Sequence, residues 1–191
     1  MIFKLDNITS LTTARWAAAE GFSYISFNFD KSDPNYIQPM EVVEICKWVT
    51  GLKIVGKFPF VETFIIKDLY ELLKLDNIEI DLMTAETLLL NHPIPTILNV
   101  DENSWEHALE FRKHNSCVFA FAVQSNTVKE INFPSDECFI PSDSLHTPGR
   151  KLPYGINFNS ANETEPGIVD FEELSSRKEM WEFCKQNLLI L

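Results

Sequence analysis

Met1-Ile2-Phe3-Lys4-Leu5-Asp6-Asn7-Ile8-Thr9 decides how this chain is read. Ile2, Phe3 and Leu5 are apolar, Lys4 and Asp6 are charged, and a helix signal comes directly after. Side chains of a strand alternate with period two, so Lys4 and Asp6 share one face. That face either meets water or lines a polar interior, and the rest of the chain decides between the two.

Beyond Thr9 the chain is a succession of strand-then-helix units. Thr9 or Ser10 caps a helix over 11–20 that Gly21 ends. An aromatic-rich strand spans 22–29, and a loop marked by Pro34 and Pro39 leads to a helix over 40–48, closed by Gly51. A strand over 52–60 and a helix over 63–75 form the third unit, a strand over 78–83 and a helix over 84–91 the fourth. Pro93 and Pro95 stop that helix. The fifth unit is a strand over 96–100 and a helix over 104–114, and a sixth strand spans 117–123. A weak helix over 127–131 and a minimal strand over 137–140 come next. Pro148, Gly149 and Pro153 leave no room for a normal helix between 142 and 154. An eighth strand over 155–159 and a long helix over 169–187, which Asp170 can cap, complete the chain.

Short strands that are nearly continuous in apolar residues and alternate with helices predict a parallel sheet wrapped by helices. Eight strands predict an α/β fold of the small (β/α)8 TIM-type barrel kind, with a shortened or missing helix after strand seven, as one domain over 1–191. A flavodoxin-like open sheet is the structural alternative and leaves two strands over. No glycine-rich fingerprint comes after the first strand, which removes the main support for a dinucleotide fold.

Sixteen basic against 28 acidic residues give a formal charge of -12. That disfavours duplex nucleic acid and anionic membranes as partners, since both need clustered Lys and Arg. A small anionic ligand needs only a local pocket of donors. Cys46, Cys117, Cys138 and Cys184 are far apart, no secretory signal opens the chain, and no apolar run reaches the length of a membrane span. A cytoplasmic protein with reduced thiols is expected. Cys117 and Cys138 begin strands and read as core thiols at the stability face of a barrel. His92, His107, His114 and His146 share no ligand spacing, so no metal site is expected, and no cofactor. His107 and His114 read as solvent-facing.

Several segments carry a family likeness. Phe3-Lys4-Leu5-Asp6-Asn7-Ile8-Thr9 is similar to an opening motif Val-Lys-Ile-Cys-Gly-Ile-Thr. Phe27-Asn28-Phe29 and Tyr36-Ile37-Gln38-Pro39 track that family's second unit, and Gly56-Lys57-Phe58 resembles its Gly-Val-Phe. Asp81-Leu82-Met83-Thr84 falls where it has Gln-Leu-His-Gly. Asn157-Phe158-Asn159-Ser160 falls on Asp-Val-Ser-Ser, and Glu163, Pro166, Gly167 and Asp170 match the loop after it. The chain resembles phosphoribosylanthranilate isomerase, the small barrel enzyme of tryptophan biosynthesis.

The resemblance implies an Amadori rearrangement, in which an aminoaldose phosphate ring opens and a proton moves to give an aminoketose. The family's cysteine base becomes Asp6, with Lys4 beside it as the other residue of a catalytic pair. The family's aspartate acid has no counterpart, since Ala122-Val123-Gln124-Ser125 holds no ionisable group. Its carboxylate-binding arginine is replaced by Asn35, and its phosphate-binding Ser-Gly-Gly-Leu by Ser142-Asp143-Ser144-Leu145. The second phosphate turn keeps Ser160 and has Ala161 in place of glycine. Substrate and phosphate binding would then fall to Asn35, Asp81, Ser142, Ser144, Asn159 and Ser160. A small phosphorylated ligand is the partner so implied. The missing parts imply weakened or lost standard activity; the alternative is a non-catalytic ligand-binding or protein-interaction barrel.

The residues leave two readings open. Asp6 acts as a base tuned by its surroundings, or it pairs structurally with Lys4, Lys57 or a donor on a neighbouring strand. Period two gives an inward set of Lys4, Asp6, Asp81, Met83, Asn157 and Asn159, with Asp6 and Asp81 as partners for Lys4. Such a set forms a ligand site or an internally paired ion network.

Overall fold

The structure is a computed structural model and describes residues 1–59, 61–89, 93–123, 137–144, 152–160, 163–165 and 168–188. Eight parallel strands close into a barrel in chain order: β1 (Ile2–Asp6), β2 (Tyr24–Asn28), β3 (Lys53–Lys57), β4 (Asn77–Asp81), β5 (Thr96–Val100), β6 (Val118–Val123), β7 (Cys138–Pro141) and β8 (Gly155–Asn159). Pairing of β8 with β1, from Ile2 opposite Gly155 to Asp6 opposite Asn159, shuts the barrel. The helices are α1 (Leu11–Ala19), α2 (Pro39–Cys46), α3 (Thr63–Leu73), α4 (Leu82–Leu88), α5 (Trp105–His114) and α6 (Phe171–Leu188). The minimal seventh strand predicted from sequence is formed, and among the described residues no helix stands between β7 and β8. The weak helix expected over 127–131 lies outside the described residues. A two-stranded ribbon, β9 (Glu163–Glu165) and β10 (Ile168–Val169), has no counterpart among the expected elements; its strands are too short to leave an alternation signal.

Local chemistry fixes the turns. Ser10 caps α1 by accepting from the Thr13 amide at 3.2 Å, and Gly21 comes after it with φ of 74°, a left-handed conformation that suits a residue without a side chain. Pro39 opens α2, and Asp170 caps α6 by accepting from the Glu173 amide at 2.9 Å. Asp81 ends β4 and caps α4, taking the Thr84 amide and hydroxyl, each at 2.8 Å.

Two apolar regions result. The larger lies between helices and sheet, with Leu5, Ile25, Phe27, Phe58, Ile66, Ile78, Phe121, Phe158 and Trp181 all fully buried. The smaller, Tyr24, Val55, Ile97, Ala120, Ala122 and Phe139, fills the barrel interior toward the N-terminal ends of the strands. Gly155 is required there, because a methyl group would meet the Phe139 ring, with Cδ1 at 2.5 Å, and Ile2 Cγ1 at 3.0 Å. Gly155→Ala is expected to destabilise the protein by about 1–3 kcal/mol through overpacking, read by urea denaturation. An unchanged midpoint would mean that Phe139 can swing aside.

Candidate functional site

Above this apolar floor the interior becomes polar, and β1 dominates it. Lys4 is fully buried, and its ammonium group bonds the Glu79 carboxylate from β4 and sits 2.5 Å from Asp6 Oδ1. Lys57, at the end of β3, reaches Asp6 Oδ2 at 3.0 Å and Glu79 Oε1 at 3.5 Å. Two cations and two anions thus alternate around a closed ring. Ser26 from β2 donates to Asp6 Oδ1 at 2.6 Å, and the Asn157 amide nitrogen from β8 donates to Oδ2 at 2.7 Å. Asn157 also accepts from Lys4 at 3.3 Å. Lys4 Nζ lies 5.8 Å from the Phe139 ring centre, joining the charged layer to the floor.

This geometry sets the electrostatics. Burial pushes the Asp6 carboxyl up, but the charges of Lys4 and Lys57 and the bonds from Lys4 and Ser26 outweigh it and hold the group well below the usual carboxylate range. Burial pushes the Lys57 ammonium down, and the Asp6 and Glu79 carboxylates outweigh it and raise it above the ordinary lysine range. Each Asp6 oxygen already accepts two donors, Lys4 and Ser26 on one, Lys57 and Asn157 on the other. A carboxylate offers about four lone-pair positions, and all four are engaged.

The inward charged face anticipated for β1 is therefore present, and it takes the form of a paired ion network. One expected partner is different. Asp81 does not reach Lys4, because it lies at the strand end, where the free amides of α4 claim its carboxylate. Glu79, one alternation earlier on the same face, takes its place. Met83 is on α4 and exposed, not inward. Asn159 sits at the exposed end of β8, where its Oδ1 accepts from Asn7 at 2.8 Å. Glu79 and Ser26 are not among the residues singled out from sequence, although Asn77-Ile78-Glu79-Ile80-Asp81 alternates polar and apolar strictly enough to flag Glu79.

The remaining candidates form local contacts. Asn35 turns back on its own loop, donating from backbone and side chain to Asp33 Oδ1 at 2.7 and 2.9 Å. The Ser142 amide donates to the Asn157 carbonyl, and its own carbonyl accepts the Trp181 indole N–H at 3.0 Å. The Ser144 amide donates to the Pro141 carbonyl at 3.0 Å. Ser160 directs its amide to the Asp6 carbonyl, and its hydroxyl lies 2.7 and 2.8 Å from the Asp6 and Asn7 carbonyls. His146 lies outside the described residues, as does His92, whereas His107 and His114 are exposed as read from sequence. The four cysteines form no disulfide, and Cys138 is buried.

Beside the ring, at the C-terminal ends of β4 and β5, a cleft of about 410 Å³ is lined by residues including Asp81, Glu86, Asn99, Asp101 and His107. Ser104 bonds to Asp101 hold that carboxyl below its ordinary value. The lining of this cleft is thus acidic, with three carboxylates from Asp81, Glu86 and Asp101.

No family model matches the sequence, and no curated protein does. Solved structures do. Phosphoribosyl anthranilate isomerase from Thermus thermophilus superposes with a TM-score of 0.70 at 17% identity, over 95% of this chain and 100% of the other. A monomeric form of the dimeric enzyme from Thermotoga maritima gives 0.68 at 19%, over 89% and 93%. A phosphoribosyl anthranilate isomerase in complex with reduced 1-(o-carboxyphenylamino)-1-deoxyribulose 5-phosphate gives 0.67 at 19%, over 89% and 93%. At these identities the likeness establishes a shared barrel architecture, and function has to be argued from the site.

Proposed function

We propose that this chain is a non-catalytic relative of the phosphoribosylanthranilate isomerase barrels, whose proton-transfer centre has become a structural ion ring. The observation that carries this reading is the saturation of Asp6. A general base needs a lone pair within reach of the substrate proton and a pKa near the working pH. Asp6 has its four acceptor positions occupied and its carboxyl held low. Two sequence features support the same reading: the residues ending β6 supply no ionisable acid, and Asn35 stands where the family has its arginine. The chain then serves as a binding or interaction barrel. Cysteines outside disulfides and the absence of a membrane-crossing helix among the described residues suit a cytoplasmic location.

A second reading rests on Lys57, whose side chain is 19% exposed while the other three ring members are nearly inaccessible. A phosphorylated ligand that drew Lys57 toward itself would free Asp6 Oδ2. Asp6 would then be a residual base in a slow isomerase of a phosphorylated sugar derivative.

A turnover assay with phosphoribosylanthranilate separates the two. The expected result is no turnover above the uncatalysed rate, for the wild type and Asp6→Asn alike. Turnover that Asp6→Asn abolishes would overturn the non-catalytic reading and favour the second.

A further inference from the structure

Large apolar side chains left on the outside of the barrel gather on one side of it. Among the described residues, Met40, Trp48, Phe64, Ile65 and Leu72 are exposed, and all stand on or directly beside α2 and α3. These two helices are neighbours in the outer ring. We propose that this face docks an amphipathic helix of another protein, one that is apolar along a stripe and carries an Arg or Lys at the centre of that stripe. The proposal rests on the reading of the chain as an interaction barrel and gives that barrel its docking surface.

Helical spacing makes the face. Residues four apart on a helix lie one above the other. Phe64, Asp68 and Leu72 form one such row, with Ile65 on the same exposed side. Met40, Glu44 and Trp48 form another; the Trp48 amide donates to the Ile45 carbonyl at 3.0 Å and carries the turn just past the end of α2. Both helices return from the C-terminal ends of parallel strands, so the two rows run the same way. Met40 and Phe64 stand at one end and Trp48 and Leu72 at the other, about 12 Å apart along each row at 1.5 Å per residue. The barrel core uses the other side of each helix, through Val42 and Ile45 on α2 and Ile66 on α3. A helix that served this core alone would be polar on its outer face.

The occupant is decided by charge. Each row sets a carboxylate between two apolar groups. A second copy docked about a two-fold axis would bring Asp68 against Asp68, or against Glu44, and like charges across a closing interface are costly. Glu44 is paired with Lys47 at 2.7 Å, whereas Asp68 has no ion pair among the described residues. An Arg or Lys set among apolar residues supplies the charge that Asp68 lacks. The formal charge of -12 also draws a basic partner toward this chain. A helix laid along the two rows meets apolar groups eight positions apart on both, which is the spacing that helix-in-groove recognition uses.

The test uses the full chain and helical peptides of about 18 residues built from Leu, Ala and Gln. One carries a central Arg in its leucine stripe, one a central Glu, and one has the stripe replaced by Gln. Amide proton–nitrogen correlation spectra follow each titration. Saturable shifts on α2 and α3 are expected with the Arg peptide and none with the Gln peptide. Phe64→Ser combined with Leu72→Ser, both exposed and outside the core, should abolish them. Asp68→Lys should weaken the Arg peptide about tenfold, equivalent to about 1.4 kcal/mol, and strengthen the Glu peptide. No saturable shift, shifts confined to other elements, or a peptide preference unchanged in Asp68→Lys would each overturn the proposal. So would a dimer in sedimentation that the double serine variant dissolves. Turnover by the wild type would instead overturn the non-catalytic reading, so the two failures are read by separate assays.

Discussion

Lys4→Met is expected to remove about 3–5 kcal/mol from the free energy of unfolding, the usual cost of deleting one partner of a buried ion pair. Methionine matches the lysine stem in length, so the loss measures charge and not volume. Without Lys4, the buried Glu79 keeps only Lys57, at 3.5 Å, as its cationic partner. Since domains are stable by about 5–15 kcal/mol, the variant should approach the limit of folding at moderate temperature. Lys4→Met combined with Glu79→Met removes the stranded anion as well. It should recover part of the loss, as a coupling of about 0.5–3 kcal/mol in a double-mutant cycle by urea denaturation. A single-variant loss below about 1 kcal/mol would mean that water or rearrangement satisfies Glu79, and that the ring contributes little.

The second large effect is on acid stability. Asp6 ionises far more readily in the folded protein than in the unfolded chain, where an aspartate titrates near pH 3.9 or so. Between the two values the unfolded chain binds a proton that the folded one does not. The stabilisation is therefore fully present above about pH 5 and is lost as pH falls through and below about 4. In that window one such group contributes a slope of about 1.4 kcal/mol per pH unit. Asp6→Asn should remove that slope, whatever it does to stability at neutrality. Lys57 acts at the other extreme: its raised value contributes stability that is present below about pH 10 and declines only as pH rises beyond. Parallel acid profiles for wild type and Asp6→Asn would contradict the depressed carboxyl.

The barrel itself was legible because its signals are distributed along the chain. The strands β1 to β5 are each followed directly by a helix, and eight short apolar strands leave few alternatives. Even β7, four residues long, shows in sequence, since Cys138-Phe139-Ile140 is an apolar run between Glu137 and Pro141. The site was legible only in part. Lys4 and Asp6 betray their shared face by parity alone. Their partners come from β2, β3, β4 and β8, and pairing across 75 or 153 residues leaves no local trace. Asp81 misled because a strand's last residue has two claimants, the barrel interior and the first turn of the next helix. The free amides of α4 decided that contest, and Thr84 three positions on is the sign that they would.

The closure of β1 by β8 has a consequence for the chain while it is still being made. Asn157 and the rest of β8 are synthesised about 150 residues after β1, so throughout most of translation β1 lacks one neighbour. An unpaired strand rich in Ile, Phe and Leu invites pairing with a strand from another polypeptide. Lys4 and Asp6 give the nascent edge a strongly hydrated face that such a pairing would have to strip of water without supplying counter-charges. The charges that end in the ring therefore first serve as a guard against aggregation, dropped when the last strand arrives.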